Sequence, residues 1–72
     1  MKVRDIKRHM IGRSIILIEA DNFPVYNGMR GWVEKDEKYG LIFNPAVNKL
    51  PNNGKSLLPI PLKPDDLIEF LE

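Results

Sequence analysis

The sequence contains no cysteine and no threonine, a single histidine and a single tryptophan. Without cysteine the chain can form neither a disulfide nor a thiolate metal site, and it has no thiol nucleophile. The histidine, His9, lies on a charged terminal segment, where a solvated side chain is the favoured interpretation. Ser14 is near it in the sequence, but without an orienting carboxylate this proximity is weak evidence for catalysis. We therefore expect a protein that is not an enzyme.

Long apolar runs and ligand-binding motifs are also missing. The longest apolar run, Ile15-Ile16-Leu17-Ile18, is far too short to span a bilayer or to form the core of a signal peptide. Gly28 and Gly31 lack the other residues of a nucleotide-binding fingerprint, and no group of residues has the spacing of a metal site. We expect a cytoplasmic protein with no cofactor, no metal and no membrane contact.

The residues that are present suffice for one small domain. The chain has 72 residues, of which 43% are hydrophobic, enough for a core and too many for a disordered segment. A chain of this length buries only about 60% of the surface that its unfolded form exposes, so we expect modest stability that comes from packing.

Charge is unevenly distributed, although the net charge is only +1. Residues 1–13 carry five basic residues and one acidic residue, a balance of +4, whereas residues 65–72 carry four acidic residues and no basic one, a balance of −4. We favour the interpretation that these are two solvated ends, which attract each other if the fold brings them together. Separated charge of this kind can also steer the encounter with a partner.

The hydrophobic pattern predicts short strands separated by turns. Residues 1–10 have apolar positions at helical spacing, which indicates one or two turns of helix, and residues 64–67 predict a single helical turn. Loops are expected over residues 21–29 and 45–55, and a tight turn over residues 36–38. The predicted strands are Ile15 to Ala20, Arg30 to Lys35, Tyr39 to Asn44, Leu57 to Leu62 and Ile68 to Leu71.

Two of these strands have features that constrain their position. The first is apolar on both faces, so we expect both faces to be covered. The fourth contains Pro59 and Pro61, which limit it to a sheet edge or a bulge because proline has no N–H to donate.

The segment Gly28-Met29-Arg30-Gly31-Trp32-Val33 resembles the glycine-and-valine pattern of KOW-type and related SH3-like domains. The strand before it, Gly12 to Ile18, is also similar to the strand that precedes this pattern in those families. The resemblance covers about residues 12 to 71. It implies a single mainly-β domain: an SH3-like barrel of about five strands over residues 12–72, one helical turn before the last strand, and an N-terminal extension over residues 1–11.

The tryptophan is expected on the outside of this sheet. With a turn at residues 36–38, Val33 faces Leu41 and Trp32 faces Ile42. Side chains alternate along a strand, so Val33 and Leu41 point into the core while Trp32 and Ile42 point outward. An outward apolar pair needs a cover, which either a partner or the N-terminal turn could provide. We favour the intramolecular cover, supplied by Val3, Ile6 and Met10.

The function that we favour is a non-catalytic module that binds another protein, as an accessory subunit of a larger complex. Its surface would join the first loop to the outer face of the hairpin, with Trp32 and Tyr26 as anchors. The edge and indole N–H of Trp32 would lie at the rim, where Arg30 would make polar contacts. The predicted partner-binding residues are Phe23, Tyr26, Met29, Arg30, Trp32 and Ile42.

The alternative is an accessory protein of transcription or translation that contacts nucleic acid, as the KOW-type resemblance implies. Such a protein would need basic residues that contact phosphate beside Trp32, on whose ring a base would stack. Against it, the sequence pI of about 8.0 falls short of the basic footprint of a dedicated nucleic-acid binder. The residues that would make these contacts are Lys2, Arg4, Lys7, Arg8, Arg13 and Lys35.

Overall fold

The computed structural model of the protein describes residues 1–46 and 57–71. The strands are β1 Ser14–Glu19, β2 Arg30–Asp36, β3 Gly40–Pro45, β4 Ile60–Pro61 and β5 Leu67–Phe70. They form one antiparallel sheet in the order β4-β3-β2-β1-β5. The predicted mainly-β class is confirmed. The predicted closed barrel is wrong, because β4 and β5 stand at opposite edges and the described residues leave the sheet open.

The β2–β3 hairpin has a register different from the predicted one. Its turn occupies residues 37–39, and the Asp36 carboxylate accepts hydrogen bonds from the N–H groups of Lys38 and Tyr39, both at 2.9 Å. The turn therefore begins one residue later than predicted, and every cross-strand pair moves by two residues. A shift of two residues keeps each side chain on its face, so the predicted assignment of faces is confirmed although the pairs are not.

In the new register Val33 pairs with Phe43 and Trp32 pairs with Asn44. Val33 and Phe43 are fully buried and face the core, while Trp32 is half-buried on the opposite side of the sheet. Gly31 is required here because a Cβ at this position would lie 2.9 Å from Cε1 of Phe43. The glycine lets the phenylalanine ring occupy the space over β2.

β1 is covered on one face only. Ile15 and Leu17 are fully buried in the core, whereas Ile16 is half-buried and Ile18 is 42% exposed on the other face. The expectation that both faces of this strand are covered is therefore wrong.

The core lies between one face of the sheet and the segments that cross it. The first loop contributes through a 3-10 turn at Pro24–Tyr26, and the N-terminal segment contributes through Val3. The buried hydrophobic residues are Val3, Ile15, Leu17, Ala20, Tyr26, Val33, Phe43, Leu57, Ile60, Leu62 and Ile68.

The N-terminal segment forms two 3-10 turns, Val3–Asp5 and Arg8–Met10, joined by extended residues. Before the first of them, the chain runs along the outer edge of β5. The amino group of Met1 donates to the carbonyl of Ile68 at 2.6 Å, and the Ile68 N–H donates back to Met1 at 2.9 Å. These bonds make the N-terminal residues part of the sheet's edge.

The predicted helical turn before the last strand is wrong. Residues 63–66 form a β-turn in which the Asp66 N–H donates to the Lys63 carbonyl at 3.0 Å. The Asp66 carboxylate is buried, and it accepts the N–H groups of Lys63 at 2.9 Å and Asp21 at 3.3 Å. The carboxylate thus satisfies the turn's own backbone donor, so that β5 begins directly at Leu67.

β4 is shorter than predicted and lies at the sheet's edge, as its prolines indicated. Only Ile60 and Pro61 pair with β3, and the Leu62 N–H adds a 2.9 Å bond to the Leu41 carbonyl. The predicted start of the loop over residues 45–55 is one residue too early, because Pro45 still belongs to β3. Residues 47–55 of that prediction lie outside the described residues. No helix in the described ranges is long and apolar enough to cross a bilayer.

Candidate functional site

We define the outer face as the side of the sheet opposite the core. In β2 and β3 it carries Trp32, Glu34, Ile42 and Asn44, because these residues alternate with the buried ones. In β1 it carries Ile16 and Ile18, and Ile16 lies opposite Arg30.

A hydrogen-bonded group fixes the tryptophan ring on this face. The indole N–H of Trp32 donates to Oε1 of Glu34 at 2.9 Å, and the side-chain amide of Asn44 donates to Oε2 at 2.7 Å. The indole N–H predicted at the rim is therefore already hydrogen-bonded within the protein, to Glu34. The ring presents an apolar body with its polar atom satisfied, which suits it for apolar contact.

The N-terminal cover expected over Trp32 and Ile42 is wrong for Val3 and Ile6. Val3 is 4% exposed within the core, and Ile6 packs against that core. Together they line a cavity of about 250 Å³ with Leu41 and other residues on the core side. The reason is the edge pairing, since the bond from the Val3 N–H to the Asp66 carbonyl at 2.9 Å holds the segment beside β5.

Tyr26, predicted as a partner-binding anchor, is buried, so the structure does not bring it onto the outer face. It is 8% exposed, and its hydroxyl donates to the Leu58 carbonyl at 2.8 Å. Its ring packs edge-on against Phe43 and Phe23, with centroid distances of 6.4 and 6.2 Å. The 3-10 turn Pro24–Tyr26 turns this side chain inward, so that the loop closes one end of the core.

The remaining predicted partner-binding residues divide into two groups. Phe23 and Met29 are half-buried and pack against the core, so the structure does not bring them onto the outer face. Arg30, Trp32 and Ile42 do share that face, with Arg30 exposed and the other two half-buried.

The basic residues predicted to contact phosphate do not converge on Trp32. Lys2 lies 3.8 Å from the Asp65 carboxylate, and Arg4 pairs with the same carboxylate. The fold thus brings the two charged ends together, which is the condition for their predicted attraction. Lys35 is predicted to contact phosphate beside Trp32. It lies three residues further along the same strand, so its side chain points to the opposite side of the sheet.

Of the other three bases, one contacts an aromatic ring and two are exposed. The guanidinium of Arg13 lies 5.2 Å from the centroid of the Phe70 ring. Lys7 and Arg8 are exposed on the N-terminal segment. His9 is exposed on the same segment, and within residues 1–46 and 57–71 no group of three or more His, Cys, Asp or Glu side chains is placed to hold a metal.

Sequence reasoning missed a groove at the end of the hairpin. The groove has a volume of about 360 Å³ and lies between the hairpin turn and the edge strand β4. Alternation along the strands predicts that Asp36 and Ile42 lie on the same face as Glu34. The groove was missed because the predicted fourth strand, Leu57 to Leu62, is longer than β4 and its pairing with β3 was not predicted. The groove is lined by Asp36, Tyr39, Ile42, Pro59 and Pro61.

No protein-family model, no curated protein and no solved structure matches this chain. The small five-stranded antiparallel fold therefore rests on the geometry described above, and the outer face has to be interpreted from its own chemistry.

Proposed function

We propose that this chain is a non-catalytic binding module that contacts another protein through the outer face of its sheet. It would act in the cytoplasm as an accessory subunit of a larger complex. The observation that carries the proposal is Trp32, a large half-buried ring held on a sheet face by its hydrogen bond to Glu34. Tryptophan in such a position is enriched in protein interfaces, because its area is large and its rotamers are few.

The neighbours of Trp32 support an apolar contact with a polar border. Ile42 is half-buried in the next strand, and Ile18 in β1 is 42% exposed on the same face. Arg30 is exposed between them, opposite Ile16. Because the ring is already ordered by Glu34, binding would lose little side-chain entropy there.

The fold itself we propose to be an open relative of the SH3-like barrel. The support is the sheet order, in which β1 lies between β2 and β5, and the long first loop with its 3-10 turn Pro24–Tyr26. The short β4 leaves too little strand to join the two edges.

A nucleic-acid partner is the weaker alternative. The Glu34 carboxylate lies 2.9 Å from the indole nitrogen, where it would repel the phosphate of a base stacked on Trp32. Lys2 and Arg4, two of the bases that such a partner needs, are paired with Asp65 on another part of the molecule.

The test combines affinity capture with fluorescence, since Trp32 is the single tryptophan of the chain. Partners are captured from cell lysate with and without nuclease, using the wild type, Trp32→Ala and the control Val25→Ala. Val25 is 58% exposed on the first loop, so its variant removes exposed apolar area away from the outer face. All three proteins are first compared by thermal unfolding.

We expect a protein that survives nuclease, is retained by Val25→Ala and is lost with Trp32→Ala. Adding that purified protein should shift the Trp32 emission to the blue and protect the ring from acrylamide. Capture that disappears with nuclease would favour the alternative, and unchanged capture by a folded Trp32→Ala would overturn the proposal.

A further inference from the structure

The groove at the end of the hairpin is continuous with the outer face. Ile42 belongs to both, Pro61 lies opposite Ile42 in β4, and Asp36 follows Glu34 by two residues on the same side of β2. We propose that this groove binds an arginine or lysine side chain of the partner polypeptide. The inference rests on the proposed function, because it assigns the chemistry of the partner at that face.

Among the described strands, β4 is an edge strand, and its outer edge presents hydrogen-bond acceptors without the usual donors. Ile60 pairs with Phe43 and the Leu62 N–H bonds to Leu41, so these alternate residues turn their backbone groups toward β3. Pro61 turns its backbone the other way, and Pro59, two residues earlier, is expected to do the same in an extended chain. Proline has a carbonyl oxygen but no N–H.

This edge excludes a strand as the occupant. An added strand needs alternating donors and acceptors, and both prolines withhold the donor. The groove must therefore recognise its ligand through side chains, and the backbone oxygens at its border favour a ligand that donates hydrogen bonds.

The walls of the groove suit a cation on an apolar stem. Both turn N–H groups bond to Oδ2 of Asp36, and Oδ1 has no partner among residues 1–46 and 57–71, so it can accept from a ligand. The Nζ of Lys38 already lies 5.3 Å from the centroid of the Tyr39 ring, so this exposed ring accepts a cation on one face. The prolines and Ile42 offer apolar contact to the methylene groups of an arginine or lysine.

Other occupants fit this chemistry less well. An acidic or phosphorylated segment would meet the carboxylates of Asp36 and Glu34, which lie on the same face. An uncharged proline-rich segment could pack on Tyr39, but it would cover Asp36 without supplying a partner for its charge.

The test is a titration of the nitrogen-15-labelled 72-residue chain with a defined peptide, followed by NMR. The peptide is N-acetyl-Ala-Arg-Ala-Arg-Ala-amide, and its control carries Gln in place of each Arg. We expect saturable shifts of the backbone amides of Asp36, Tyr39 and Ile42 with the Arg peptide, and none with the Gln peptide.

Two matched variants distinguish binding at the groove from a general effect of negative charge on the Arg peptide. Asp36→Asn keeps an oxygen for the turn N–H groups but removes the charge, so we expect it to fold and to weaken Arg-peptide binding about fivefold. Glu37→Gln removes the same charge from the neighbouring, exposed turn residue, and we expect a change below about twofold.

Shifts that map elsewhere, equal losses in the two variants, or equal binding of the Gln peptide would each overturn the inference. The proposed function has its own readout, the protection of Trp32 by a captured partner. If that protection is seen while the Arg peptide fails to bind the groove, the proposed function stands and the inference fails. If the peptide binds the groove while a folded Trp32→Ala captures partners normally, the proposed function fails instead.

Discussion

The indole N–H of Trp32 donates a 2.9 Å hydrogen bond to Glu34, two residues further along the same strand. The second oxygen of that carboxylate accepts the side-chain amide of Asn44, at 2.7 Å, in the neighbouring strand. One carboxylate therefore orients the ring and joins β2 to β3 on the outer face. A face built this way is ordered before any partner arrives, which lowers the entropic cost of binding.

Removing this carboxylate should loosen the ring more than it destabilises the fold. We expect Glu34→Ala to lower the free energy of unfolding by about 1 kcal/mol, because two half-buried donors lose their acceptor but water can reach them. Acrylamide quenching of Trp32 fluorescence should rise in the same variant. The control Glu37→Ala changes an exposed turn residue and should leave both readings unchanged. Unchanged quenching in Glu34→Ala would show that packing alone holds the ring.

Two glycines of the hairpin should respond differently to alanine. At Gly31 a Cβ would lie 2.9 Å from two carbons of the Phe43 ring and would also contact the Asn44 carbonyl, so buried atoms must move. We expect Gly31→Ala to cost about 3 kcal/mol, measured by urea unfolding. Gly40 has open space around it but a φ of +81°, and Gly40→Ala should cost about 1 kcal/mol through backbone strain alone. Equal losses would mean that both the Phe43 ring and the Asn44 carbonyl move away freely.

The hairpin shows how much of the fold the sequence could predict. Alternation placed Val33 in the core and Trp32 outside it, and it did so despite a register that was wrong by two residues. A periodic pattern contains no information about shifts of two, because each side chain keeps its face. The missing information was the position of the turn. The Asp36 carboxylate accepts the N–H groups of Lys38 and Tyr39, so the turn begins at residue 37 and β2 is one residue longer than predicted.

Contacts distant in sequence account for the other differences. Nothing near Tyr26 in the sequence indicates that its hydroxyl bonds to Leu58, 32 residues away, so an aromatic loop residue looked equally suited to a partner. Val3 was expected over Trp32 because its spacing is helical, but spacing does not reveal that its backbone bonds to Asp66 beside β5. Of the predicted site, the part that shares the outer face is Arg30, Trp32 and Ile42.

The role of Tyr26 in the core can be tested by removing its hydroxyl. Tyr26→Phe keeps the ring contacts with Phe43 and Phe23 but leaves the Leu58 carbonyl without its 2.8 Å donor. We expect a loss of about 1 kcal/mol in thermal or urea unfolding. Partner capture by the folded variant should equal that of the wild type, because Tyr26 is only 8% exposed. A Tyr26→Phe variant with full stability but weakened capture would show that Tyr26 belongs to the binding surface.

The adjacent carboxylates Asp65 and Asp66 should differ sharply in their contribution to stability. Asp66 is 5% exposed and accepts two backbone N–H groups, from Lys63 and Asp21, which join the last turn to the first loop. Asp66→Ala leaves both donors without an acceptor, and we expect it to lower the free energy of unfolding by about 2 kcal/mol.

Asp65 provides the matched control for that variant. Its side chain is 70% exposed in its pairs with Lys2 and Arg4, so Asp65→Ala should cost about 0.5 kcal/mol or less. Salt screens exposed charges, so this small loss should shrink further at high ionic strength, whereas the loss in Asp66→Ala should persist. Urea unfolding of the three proteins at low and high salt measures both effects. If the two variants lose equal stability, the joint between the turn and the first loop depends on the surface ion pairs rather than on the buried carboxylate.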